Sequence, residues 1–153
     1  MNCDVMLTAE EFKTIHNTLW AMQYQGMDGK TGAEKIREAL AGAYKQDREA
    51  FDRKGQHYTN VKAELGIRGS DWSIYEVDNL SERHPFEGAD RVVYRDHWGE
   101  QPVQCSINGL TWAALWVAAN ACIRDSGDDH HTFIEAFRPS KDDPSVLYLV
   151  TGS

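Results

Sequence analysis

An α+β fold with a mainly antiparallel sheet of about five strands is what the chain predicts, and three observations predict it. Apolar residues recur at helical spacing as far as about residue 65, the period shortens to that of strands from Asp71, and a strongly apolar helical segment then interrupts the strand pattern. Helices grouped at the N-terminal end and strands beyond them belong to the segregated α+β class. With 153 residues, one domain covering 1–153 is expected. Its sheet should pack against a buried helix from the C-terminal half, and an N-terminal helical hairpin completes the plan.

The first helix should begin at Ala9, because Thr8-Ala9-Glu10-Glu11 has the capping-box pattern. Phe12, Ile15, Leu19 and Met22 follow at helical spacing until Gly26 and Gly29 interrupt it. A second box, Thr31-Gly32-Ala33-Glu34, predicts a longer helix with Ile36, Leu40, Tyr44 and Phe51 on one face. The short connection pairs the two as an antiparallel hairpin. A brief third helix is expected from Thr59 to Leu65, stopped by a left-handed Gly66.

Residues 72–77, 91–95 and 103–107 are rich in β-branched and aromatic residues or alternate with polar ones, and predict three strands. Between the first two, DNLSERHPFEGAD is polar, contains Pro85 and Gly88, and predicts a surface loop over 78–90. The segment 110–125 is apolar almost all round and predicts the central core helix, ended by Gly127. Strands over 131–137 and 145–151 close the chain. Val146 to Val150 is unbroken apolar sequence, which predicts cover on both faces.

Sixteen basic residues against twenty-four acidic ones give a net charge of −8. Such a balance disfavours direct binding to nucleic acid, which requires concentrated positive charge, and to anionic membranes. The excess is uneven, net −2 over residues 1–76 and net −6 over 77–153. No apolar run approaches the roughly 18 residues of a membrane span, and the N-terminal stretch lacks the basic and apolar regions of a signal peptide. Three cysteines without CxxC spacing predict free thiols in a reducing compartment, so a cytoplasmic location is expected.

Among chemistry-bearing residues, Asp128-Asp129-His130-His131 followed by Glu135 forms the best constellation. Alternation along a strand would place His131, Phe133, Glu135 and Phe137 on one face. The pair of histidines has no metal-ligand spacing and no marked third ligand, so no metal and no cofactor are expected. Tyr94-Arg95-Asp96-His97-Trp98-Gly99-Glu100 is a second polar cluster. Its Asp96 and His97 would point to opposite faces of a strand, and no nucleophile elbow accompanies them. Gly29-Lys30-Thr31 ends like a phosphate loop, but Tyr24 stands where the first glycine is required and the preceding segment is helical.

The leading expectation is a protein-binding or inhibitory protein that docks on a basic, nucleic-acid-handling partner, as an immunity or anti-defence protein from a mobile element would. Aromatic anchors ringed by carboxylates suit such a contact. The residues placed there are Glu82, Glu87, Asp90, Trp98, Glu100, Asp128 and Asp129. The alternative is a small hydrolase or lyase using His130, His131 and Glu135, with His97 as a further candidate.

Overall fold

The computed structural model describes residues 7–95 and 101–153, and of Gln46 the backbone alone. The chain divides into two compact units, residues 1–53 and 54–153.

In the first unit, α1 (Ala9–Tyr24) opens on the expected capping box. Glu11 N–H donates to Thr8 Oγ1 at 3.2 Å, while Thr8 N–H donates to Glu11 Oε2 at 2.8 Å. The second helix, α2 (Gly29–Glu64), starts earlier than its sequence suggests. Asp28 is its cap, accepting from the Thr31 amide at 3.0 Å and the Thr31 hydroxyl at 2.6 Å. Thr31 thus sits inside the first turn and braces the cap rather than forming it. The two helices run antiparallel: Met22, late in α1, lies over Gly32, early in α2, and Glu11 lies beside Gly42.

The expected third helix is the last part of α2, which runs without a break to Glu64. No proline interrupts residues 45–64, and a single glycine at Gly55 costs only about 1 kcal/mol. Gly66 does end the helix, at φ +63°, with Ile67 N–H returning to the Lys62 carbonyl at 3.0 Å.

The second unit is built on five strands: β1 (Asp71–Trp72), β2 (Arg91–Tyr94), β3 (Val103–Ser106), β4 (Phe133–Pro139) and β5 (Val146–Gly152). Their order across the sheet is β1-β4-β5-β2-β3. The β4·β5 and β2·β3 pairs are antiparallel, whereas β1·β4 and β2·β5 are parallel. The sheet is therefore mixed, and the expectation of a mainly antiparallel one is corrected. Local patterns identify strands, but β5 inserts between β4 and β2, and the long connections through β3, helix α3 (Trp112–Ser126) and β4 permit its parallel pairing with β2.

Strand β1 is much shorter than the run 72–77. Tyr58 donates its hydroxyl to the carbonyls of Val77 at 2.6 Å and Ile74 at 3.1 Å, and Trp72 Nε1 also donates to Ile74. These side chains take the acceptors that a longer ladder would need. Burial, followed by the nearby Asp78, Tyr75 and Glu76, pushes the Tyr58 phenol up to about 12, so it remains a donor at any physiological pH.

One sheet face carries α3, whose Thr111 cap and left-handed Gly127 mark its ends. Trp116, Leu115, Ala119 and Cys122 of α3 are fully buried with Val92, Ile134 and Leu147 of the sheet. Trp72 is buried as well, with ring centroids 5.7 Å from Trp116 and 6.1 Å from Phe137. A polar chain crosses this core: Trp116 Nε1 donates to Ser70 Oγ at 3.1 Å, which donates to Asn120 Oδ1 at 2.7 Å. Asn120 is thereby satisfied within an apolar helix. The opposite face of β5 is open at Tyr148, which is 48% exposed, so the central strand is covered on one face and not on both.

Candidate functional site

The carboxylates that the sequence groups together lie at opposite ends of α3. Fifteen residues of helix place those ends about 22 Å apart. At the N-terminal end, the loop 78–90 is clamped against the helix. Trp112 N–H donates to the Glu82 carbonyl at 3.1 Å, Ala113 N–H to Leu80 at 2.9 Å, and His84 N–H to Leu110 at 3.0 Å. Leu80 is fully buried and His84 nearly so. The loop is consequently a fixed platform, and Glu82 and Glu87 stand exposed on it. Among the described residues neither makes an ion pair.

Asp90, at the same end, lies 4.0 Å from Arg91, which also donates to Asp143 at 2.7 Å and to Ser145 Oγ at 3.1 Å. The Asp143 carboxyl is held below the usual range by the Ser145 hydroxyl and amide, with Arg91 adding to them. Asp90, Arg91, Gln104 and Ser106 border an open polar groove of about 440 Å³ on the β2·β3 edge. Arginine thus offsets part of the negative charge here and leaves Glu82 and Glu87 as its least compensated members.

At the C-terminal end of α3, Asp128 turns inward, its side chain only 3% exposed. It accepts from Tyr94 Oη at 2.6 Å, from the amides of His130 at 2.9 Å and His131 at 3.0 Å, and it meets His131 Nδ1 at 3.0 Å. Thr151 Oγ1 lies 3.2 Å from the same Tyr94 hydroxyl. Burial alone would raise this carboxyl, but the donors from Tyr94, His131 and His130 outweigh it and hold Asp128 far below the usual carboxylate range. The cluster joins the end of β2 to the α3–β4 connection and to β5. A shallow pocket of about 350 Å³, lined by Gly69, Arg124, Asp128, Asp129 and Thr132 among others, opens beside it.

His131 is therefore oriented by a buried carboxylate, the arrangement that a general base requires. The other catalytic candidates are placed differently. Glu135 lies at an irregularity in β4, where the register shifts between Ile134 and Ala136, and its carboxylate fills the space over Gly152. That shift breaks the expected alternation: Phe133 is 41% exposed while Phe137 is buried. His130 and Asp129 are both on the surface, 3.6 Å apart. His97, Trp98 and Glu100 lie outside the described residues. Among the described residues, no three His, Cys, Asp or Glu side chains form a group that could hold a metal.

Sequence reasoning missed Tyr94 and Thr151 as members of the Asp128 cluster, because only tertiary folding brings them to it. The turn itself is local: an Asp that accepts from amides two and three residues later is an ordinary Asx turn. Comparison with known proteins found no matching family model, and no curated protein or solved structure matches the chain. Among the described residues no helix is long and apolar enough to cross a membrane.

Proposed function

We propose that this is a protein-binding protein of the cytoplasm that docks on a basic partner through the loop 78–90. The observation that carries the reading is the clamped acidic loop: Glu82 and Glu87 project from a segment whose backbone is bonded to α3 and whose Leu80 is fully buried. A loop already held in one conformation loses little entropy on binding, and unpaired carboxylates accelerate and orient encounter with positive charge. The net −6 over residues 77–153 favours such a partner at longer range. Proteins that handle nucleic acid have basic surfaces of this kind, so inhibition of one, in the manner of an immunity or anti-defence protein of a mobile element, is the activity proposed. Asp90 belongs to the rim of this reading, Asp129 at the far end of α3 lies outside it, and Asp128 serves the fold.

Affinity capture from the native host, repeated with Glu82→Lys/Glu87→Lys, tests it. The expected result is a basic protein retained by the wild type, released as salt rises, and not retained by the variant. Equal capture by both would refute the placement at this loop.

A second reading rests on the His131–Asp128 pair beside the 350 Å³ pocket, which suits a small hydrolase or lyase. Its test is hydrolysis of a panel of small ester and phosphoester substrates, with loss on His131→Ala. An inactive wild type leaves no ground for this reading.

A further inference from the structure

The helical unit has an unusual distribution of bulk. Its buried residues are small, Thr18 and Ala21 in α1 and Gly32 and Ala43 in α2, and a side chain on Gly32 would have to displace that of Met22. Large apolar residues lie instead to one side of this seam. At about 100° per residue, Phe12, Ile15 and Leu19 fall on one flank of α1, and Ile36, Leu40 and Tyr44 on one flank of α2. Because the helices are antiparallel, these two flanks share a side of the hairpin. Met22, Ile36, Leu40 and Tyr44 together line an open groove of about 530 Å³ there, bordered by Arg37.

Much of this face is in contact with solvent. Phe12 is 62% exposed, Leu19 52% and Tyr44 58%. With side-chain areas of about 150–250 Å² for the aromatic rings, these three residues and the half-buried Ile15, Met22, Ile36 and Leu40 offer roughly 400–500 Å² of apolar surface. That is within what the largest patch of a monomer exposes, about 300–600 Å². A standard interface buries about 800 Å² per partner, and about 65% of it is apolar when two identical chains meet, so close to 520 Å² is needed. The face supplies most of that amount.

Spacing and charge select the occupant. The apolar positions of α1 run 12, 15, 19, 22, in alternating steps of three and four, which is the repeat of a bundle seam rather than of a groove for an extended peptide. Residues 1–53 carry seven basic and nine acidic side chains, nearly neutral beside the remainder of the chain. A second hairpin of the same kind meets little repulsion, whereas a strongly charged partner finds no complementary field.

We propose that two copies of this chain associate through the Phe12–Leu19–Tyr44 face, their hairpins stacking about a two-fold axis into a four-helix layer. The contact is isologous, so one patch serves both protomers. It involves none of the loop residues assigned to partner docking and stands or falls independently of that reading.

Sedimentation equilibrium of the full chain tests the proposal. The wild type is expected at twice 17.3 kDa. Phe12→Glu/Tyr44→Glu places charge at two fully desolvated positions and should weaken association by about a thousand-fold. Trp20→Lys/Tyr24→Lys, on the other flank of α1, should remain dimeric. Should the glutamate variant unfold, Leu19→Cys in a chain whose Cys3 and Cys105 are replaced by Ser reports independently, because a thiol crosslinker of about 10 Å reach is expected to join two copies through it and leave a Trp20→Cys chain of the same background unjoined. A monomeric wild type would overturn the proposal, whether the face is open or covered by another protein. So would a dimer that survives the glutamates and dissociates with the lysines.

Discussion

Replacing Asp128 by Asn tests whether the inward-facing carboxylate holds the sheet unit together. The side chain is 3% exposed and accepts from Tyr94 Oη, two backbone amides and His131 Nδ1. Asn keeps the shape, offers one acceptor oxygen in place of two, and turns an amide toward groups that are themselves donors. A hydrogen bond to a charged group contributes about 1.5–3 kcal/mol, so loss of charge on one bond and orphaning of another should cost about 2–4 kcal/mol. Tyr94→Phe removes a single donor and should cost about 1.5–3 kcal/mol. The two act on one bond, so the double variant should lose less than the sum by about 1.5 kcal/mol.

The pH dependence gives a second readout. Asp128 sits below its ordinary value of 3.8 in the folded protein. The unfolded chain therefore binds the proton first as pH falls, and the stabilisation is complete above about pH 5 and lost as acid approaches the folded value. Urea unfolding followed by tryptophan fluorescence, at about pH 7 and about pH 3, should show the Asn penalty shrinking at the lower pH. An equal penalty at both, or strict additivity with Tyr94→Phe, would refute the reasoning.

Two further outcomes follow from buried groups. His84 accepts from the Phe86 amide through Nδ1 at 3.2 Å, which leaves the proton on Nε2, buried without a partner among the described residues. Burial, with Arg83 adding to it, lowers its pKa from 6.5, so this histidine's stabilisation is intact above about pH 6.5 and declines as pH falls below it. The difference in unfolding free energy between wild type and His84→Leu should change between about pH 7 and pH 5, and parallel curves would contradict this. Burial also raises the thiols of Cys122 and Cys105. Peptide mapping after treatment with a thiol reagent at about pH 8 should find Cys122 unmodified and Cys105 at least about ten-fold slower than in urea. Rapid labelling of Cys122 would mean that the α3–sheet core opens.

Local chemistry determined much of this protein. The Thr8–Glu11 cap, the Gly66 and Gly127 stops and the apolar run of α3 each depend on residues within a few positions of one another, and they form as the sequence dictates. Pairing partners depend on the path of the whole chain. Strand β5 reads the same beside any neighbour, and only the crossover through α3 sets it parallel to β2. The single-residue shift in β4 sends Phe133 and Phe137 to opposite faces. Asp128 and Asp129 differ by one position, yet one binds Tyr94 in the interior and the other meets solvent, because a turn directs adjacent side chains apart. Composition determined how much negative charge the chain carries. Tertiary structure alone decided which carboxylates remain unspent after the interior and the arginines have taken theirs.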